Sequence, residues 1–471
     1  MKRYEYDCEL NSRWFSSLPS HWLLYRVKNL ITQNDSGAWG DDPTSENGTI
    51  CLRVADMDFA LGVFKTKNID SLTRRAYSQE QIDKLILKQG DILIEKSGGG
   101  EKTPVGRSVY FDKEYKALFA NFMQRLRART ELVTPRYLAF LFHAMYRSGV
   151  TWYYVKQTTG IQNLDLNRML AEEKFPLPPH DEQDQIVRYL DWQVSKINRL
   201  IAAKKQEIAL FEESKINHIA NAVLQGIRHH EHCIETTEFG SIPAHWQVIQ
   251  NKRLFCERVE HTETGTETLL SVSKHYGVKP SAELTEDEQF ATIKPALSLV
   301  GYKIVRKNDL VMNIMRARNG SYGISAYDGI VSPAYCIYYT TKECNVKYLH
   351  YFLRTPHAKS LFEAYSSGIA EHRRRLYPED FLRLKSVLPP IEEQDEIVEH
   401  IEQVIVKYDA GIANLRQQIG CLQDMKTRMI SDVVTGQVDV RGIEVPQYEI
   451  VEDTDTSGDS EEDTEGEEYE E

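Results

Sequence analysis

The chain carries one pattern twice. Leu177-Pro178-Pro179-His180-Asp181-Glu182-Gln183-Asp184-Gln185-Ile186-Val187 recurs as Leu388-Pro389-Pro390-Ile391-Glu392-Glu393-Gln394-Asp395-Glu396-Ile397-Val398. Each block leads into a heptad pattern. In the second copy, Val398, Ile405, Ile412 and Ile419 interleave with Ile401, Tyr408, Leu415, Leu422 and Met429. In the first, Val187, Val194, Ile201 and Ile208 interleave with Leu190, Ile197 and Phe211. Apolar residues at these spacings occupy the a and d positions of a coiled coil. An offset of 211 residues superposes the two series without a gap. Each helix should run about 40 residues, near 60 Å. Prolines 179 and 390 mark the starts, and Gly226 and Gly436 the ends.

Two matched apolar seams in one chain are most simply satisfied by each other. A globular segment of about 160 residues lies between them, long enough to return the second helix antiparallel to the first. A second repeated element opens each half, Leu18-Pro19-Ser20-His21-Trp22 and Ile242-Pro243-Ala244-His245-Trp246. Further matched pieces are the turn-strands Gly90-Asp91-Ile92-Leu93-Ile94 and Asn308-Asp309-Leu310-Val311-Met312, and the helix starts at Tyr137 and Tyr348. The expected fold is therefore α+β. Two similar globular domains are separated by two long antiparallel coiled-coil helices about a pseudo-twofold axis. The expected boundaries are 1–180, 181–226, 227–390 and 391–440, with 441–471 as a disordered acidic tail.

Charge is unevenly placed. The net charge is −13, yet residues 452–471 hold twelve acids and no Lys or Arg, leaving 57 basic against 58 acidic residues elsewhere. Such a tail has too little apolar content to bury a core. Seven cysteines without a Cys-x-x-Cys pair fit reduced thiols in a cytoplasmic protein. No run of about 18 apolar residues suggests a membrane span, and the first residues do not read as a secretory signal.

No catalytic constellation emerges. Ser97-Gly98-Gly99-Gly100-Glu101-Lys102-Thr103 looks like a phosphate loop, but Glu101 stands where glycine must precede the lysine. Asp91 with Glu95-Lys96 lacks the spacing of a metal-dependent nuclease, and the other half offers Asn313 in place of an acid. His229, His230, His232 and Cys233 are too tightly clustered for a zinc site by spacing. Neither a methyltransferase tetrapeptide nor a nucleophile elbow is present. No metal or cofactor is expected.

Basic clusters remain. From Lys96 to Arg129 there are eight Lys or Arg against three acids. Arg316-Ala317-Arg318-Asn319 follows the matching strand in the second half, and His372-Arg373-Arg374-Arg375 corresponds to the region of Gln157 to Asn163. Arg, Asn and Gln read base edges, while Lys and Arg also neutralise phosphates. The candidate DNA-binding residues are Lys96, Ser97, Lys102, Arg107, Gln157 and Asn163 in one half. In the other they are Arg316, Arg318, Asn319, His372, Arg373 and Arg374.

The Pro-x-His-Trp opening, the Gly-Asp-Ile-Leu turn, Gly160-Ile161-Gln162-Asn163-Leu164 and the doubled Leu-Pro-Pro…Glu-Gln…Ile-Val block resemble the specificity subunit of type I restriction–modification systems. The resemblance spans about residues 14–440. It implies a non-catalytic subunit with two target-recognition domains, each reading half of a split double-stranded DNA sequence. Its helices would dock two adenine methyltransferase subunits, joined by restriction and translocase subunits. The docking residues would be Val187, Leu190, Val194, Ile197, Ile201, Ile208, Val398, Ile401, Ile405, Ile412, Leu415 and Ile419. The second half departs from the pattern at Asn308-Asp309 and at Gly368-Ile369-Ala370-Glu371-His372. The alternative is a coiled-coil scaffold that binds proteins without DNA specificity.

The tail is expected to compete weakly with nucleic acid for a basic surface. Deleting the residues after Glu449 should raise affinity for nonspecific DNA at low salt in a filter-binding assay; unchanged affinity removes the idea.

Overall fold

A computed structural model describes residues 4–9, 12–43, 48–59, 62–65, 68–100, 103–158, 161–274, 276–284, 298–368 and 374–448. The candidates Lys102, His372 and Arg373 and residues 449–471 lie outside these residues; 441–448, expected to be part of a disordered tail, instead pack on the first unit through Ile443 and Val445, with Gln185 donating to the Ile443 carbonyl. Two compact units form, one from Met1–Gln206 with Leu415–Asp459, the other built on Glu207–Asn414. The long helices are His180–Gln225 and Ile391–Val434, of 46 and 44 residues. Each begins in one unit and ends in the other.

Within the first unit the seam runs antiparallel. Ile186, Leu190 and Val194 share a core with Ile430, Val433 and Val434, and further along Lys426 donates to Asn198. Leu190, Ile197, Ile201 and Leu415 are buried, whereas Val187 is half-buried. The second unit repeats the arrangement. Val223 shares a core with Ile397, Val398 and Ile401, Ser214 bonds Tyr408 at 2.7 Å, and Lys215 pairs with Asp409 at 2.8 Å. Phe211 packs edge-on against Tyr408 and fills the space left by Gly411, where a β-carbon would come within 2.8 Å of its ring. Ile412 is buried, while Ile208, Ile405 and Ile419 are half-buried. Facing outward along the helices are Leu200 and Met425 in the first unit and Leu210, Ile216 and Val406 in the second.

The repeated Glu-Gln is a buried polar knot. Gln183 is fully buried; its amide oxygen accepts the Thr134 N–H, and its amide nitrogen donates to the Leu132 and Pro178 carbonyls. Gln394 does the same with the Asn345 N–H and the Pro389 carbonyl. Glu182 accepts from the Tyr4 hydroxyl and the Trp22 indole and shares a hydrogen bond with His21. Glu393 receives Trp246 and His245. Helix-end glycines complete each knot. Gly436 and Gly226 adopt the left-handed conformation common after a helix, and each backs onto the tryptophan of its unit.

Each unit carries a four-stranded antiparallel sheet of the same order. In the first it runs Ser108–Tyr110, Ile92–Glu95, Met123–Ala128, Ile31–Ser36; in the second Tyr322–Ile324, Leu310–Asn313, Tyr335–Thr340, Phe255–Glu257. The strand preceding each Leu-Pro-Pro also pairs with the one following each Pro-x-His-Trp: Lys174–Leu177 with Leu23–Arg26, and Lys385–Leu388 with Gln247–Gln250. Tyr137 and Tyr348, both fully buried, each donate to two backbone carbonyls: Pro176 and Val434 in one unit, Val387 and Val223 in the other.

The departure at Asn308 has a simple cause. Gly90 lies at φ 95°, and Asn308 at φ 72° is the one non-glycine with positive φ among the described residues. Asparagine is among the few L residues that tolerate this region. The following aspartate is buried in both turns, Asp91 held by Arg127 and Asp309 by Arg258. Asn308→Gly should leave stability within about 0.5 kcal/mol, whereas Asn308→Val should cost about 1–2 kcal/mol or more, measured by urea unfolding.

Candidate nucleic-acid interface

In the first unit the edge strand Ile31–Ser36 presents Thr32, Gln33, Asn34 and Ser36 to solvent. The next strand supplies Gln124, whose amide donates to Asn34 Oδ1 at 2.7 Å; Asn34 in turn donates to Asn167 Oδ1 at 3.0 Å. The Lys96 ammonium meets the Ser36 hydroxyl. Ser97 pairs in register with Asn163, and its hydroxyl donates to Asn163 Oδ1 at 2.7 Å. Gln157 is exposed on the neighbouring strand, opposite Gln162. The result is an amide-rich surface whose donors and acceptors are ordered by one another. Primary amides carry two donors and an acceptor, the equipment that matches adenine in a major groove. Burial pulls the Lys96 ammonium below the ordinary lysine value.

Alternation along Ile161–Leu164 splits the Gln-Asn pair. Asn163 faces out, while Gln162 is 3% exposed, accepting the Val105 N–H and donating to the Gly100 carbonyl. It therefore anchors the glycine-rich loop.

The basic stretch is partly internal. Arg107 forks onto the buried Glu95 carboxylate with two 2.8 Å bonds and covers the Phe59 ring. Arg125 is 1% exposed and holds Asp35 and the carbonyls of Lys84 and Ile86; Arg127 holds Asp91. With Lys113 on Asp112, four of the eight cations in that stretch thus neutralise the unit's own acids.

The second unit offers charge instead of amides. Asn313 accepts the N–H groups of Met315 and Arg316, turning the chain into the single helical turn Ala317–Asn319. Ala317 is buried, so Arg316 and Asn319 project outward and Arg318 is half-buried. Neither arginine has an ion-pair partner among the described residues, and Arg374 is likewise exposed without one. Gly320, at φ 88°, leaves room for Lys359, whose Cε lies 3.4 Å from a β-carbon placed there; Lys274 lies at 3.9 Å. Arg354 donates to the Tyr322 and Lys274 carbonyls. Burial and the neighbouring Arg354 lower the Lys359 ammonium. Sequence reading passed over Lys274, Arg354 and Lys359, and equally Asn34, Gln124 and Asn167. No motif flags them, because the sheet and helix ends bring them together from distant positions.

Arg107→Ala should destabilise the protein by about 3 kcal/mol, because it strands a buried carboxylate. The check is chemical denaturation, with Arg316→Ala as a control expected within about 0.5 kcal/mol.

Comparisons with known proteins agree with this layout. Residues 65–210 match the family model of the type I restriction modification DNA specificity domain. Two proteins of Methanocaldococcus jannaschii are similar along most of their length. One, proposed to be the specificity subunit of the MjaX type I restriction enzyme, is 22% identical over 438 residues, covering 90% of this chain and 95% of its own. The other, the type I restriction enzyme MjaVIII specificity subunit, is 21% identical over 378 residues, covering 76% and 81%. A chain from a structure concerned with complex assembly and conformational transition of the type I R-M system shares the fold. Its TM-score is 0.58 at 14% identity, covering 89% of this chain and 99% of that one. Residues 65–210 thus match a type I restriction modification DNA specificity domain, and over most of its length the chain is similar to specificity subunits of type I restriction enzymes.

Proposed function

We propose that the chain is a non-catalytic subunit that reads a bipartite DNA target and directs partner enzymes to it. One observation carries this reading. Both units repeat the same frame of knot, sheet and turn, yet the side chains displayed on that frame differ. Amides dominate the first face and unpaired cations the second. A shared frame with different displays suits two half-sites of unlike sequence, each of about three to five base pairs. The helices would set a fixed spacer of about one helical turn, whose bases matter little. The five ranges drawn from the sequence, 1–180, 181–226, 227–390, 391–440 and 441–471, then serve as first reader, first spacer, second reader, second spacer and tail.

Partner docking fits the outward apolar residues of the helices better than the seam. Leu200, Met425, Leu210, Ile216 and Val406 are exposed, whereas Leu190, Ile201 and Ile401 are consumed by packing. Two adenine methyltransferase subunits, with restriction and translocase subunits joining them, are the proposed partners. Among the described residues no helix is long and apolar enough to cross a membrane.

Co-expression with a cognate adenine methyltransferase, followed by mapping of modified adenines, is the direct test. A split motif with a constant gap is expected; a continuous motif overturns the reading. Arg316→Ala should relax one position of one half-site, by about 1–3 kcal/mol of discrimination. Lys359→Ala should weaken all sequences alike and reduce the salt slope by about one. A protein whose DNA binding shows no salt dependence would instead be the scaffold alternative.

A further inference from the structure

The two knots are not equivalent in charge. In the first unit, Glu182 is 7% exposed and receives Tyr4, His21 and Trp22, with the Arg441 guanidinium 3.9 Å away. In the second, Glu393 is 15% exposed and receives His245 at 2.9 Å and Trp246 at 3.0 Å through Oε2. His230 takes the place that Tyr4 holds in the first. Its Nε2 is buried without a hydrogen-bond partner, 3.5 Å from Glu393 Oε1 and outside bonding geometry. Among the described residues, no Lys or Arg pairs with Glu393.

We propose that His230, His245 and Glu393 form a binding site for a divalent transition-metal cation of the zinc class. The three ligand atoms lie within 4.8 Å of one another. Two imidazoles and a carboxylate are a donor set that zinc accepts, with bonds of about 2.0–2.2 Å and a fourth position for water. A cation between them would use the orphaned His230 nitrogen and the second carboxylate oxygen together. It would also supply the positive charge that Arg441 places near Glu182. The ligands come from the segment after the first long helix, the Pro-x-His-Trp turn and the first turn of the second long helix. The metal is therefore a structural clasp on one knot only. Gly226 is part of the site, since a β-carbon there would lie 2.8 Å from His230 Nε2. Among the described residues the first unit has no such site, because a buried phenol stands where the second imidazole would be; burial, then the bond to Glu182, raise the Tyr4 hydroxyl far above its ordinary value.

The test uses the full chain, stripped with chelator and titrated with Co²⁺ as a spectroscopic probe. One equivalent should bind with the visible absorption of a low-coordinate nitrogen and oxygen site, be displaced by Zn²⁺, and raise the melting temperature. His230→Tyr, which installs the first unit's phenol, should keep the fold by circular dichroism and weaken binding by about tenfold or more. His245→Gln provides a second loss variant if His230→Tyr unfolds. The double variant His229→Ala, His232→Ala should bind as the parent does. Absence of binding, unchanged binding in both loss variants, or binding lost only in the double variant overturns the site. None of these readouts depends on DNA.

Discussion

The structure depends on the buried Glu-Gln step at the start of each long helix. A glutamine side chain inside an apolar core must find partners for both its amide groups, or its burial costs a few kcal/mol. Gln183 and Gln394 find theirs in the backbone that begins a neighbouring helix and in the carbonyl of the Pro-Pro step. Each therefore ties a long helix to its unit at one angle. The adjacent glutamate collects the tryptophan and histidine of the opening turn. Pro-x-His-Trp, Leu-Pro-Pro and Glu-Gln are distant in sequence but belong to one hydrogen-bonded object.

The seam adds a second level of specification. Apolar heptads alone allow neighbouring registers, since every turn offers a similar surface. Polar and size constraints remove that freedom. In the first unit Asn198 and Lys426 meet inside the seam, and in the second Phe211 needs the missing side chain of Gly411 while Ser214 bonds Tyr408. Buried polar pairs of this kind contribute little net stability, but misalignment would leave them unsatisfied.

Charge is where sequence and structure part most clearly. A run of cations in the sequence reads as a binding surface, yet Arg107, Arg125 and Arg127 turn inward to Glu95, Asp35 and Asp91. The acids they meet lie from 12 to 90 residues away, so counting charges within a window does not reveal the pairing. Arg316 and Arg318, which have no acid partner among the described residues, sit in the second unit, where Ala317 is buried and its neighbours turn outward. The amide face of the first unit is similarly a product of strand pairing, which sets Asn34 beside Gln124 and Ser97 beside Asn163.

From sequence alone came the duplication, the two helices with their matched heptads, the α+β units and the family resemblance. Periodicity and repetition are local or self-similar signals, and a side chain's helical face is legible from its spacing. Asn308 also became intelligible once its φ was known, as a substitute for the glycine of the other turn. Only the tertiary structure decided which polar residues face water, which arginines are spent on internal acids, and that His230, His245 and Glu393 converge. Those outcomes depend on contacts between residues far apart in the chain, and such contacts leave no period for a sequence to display.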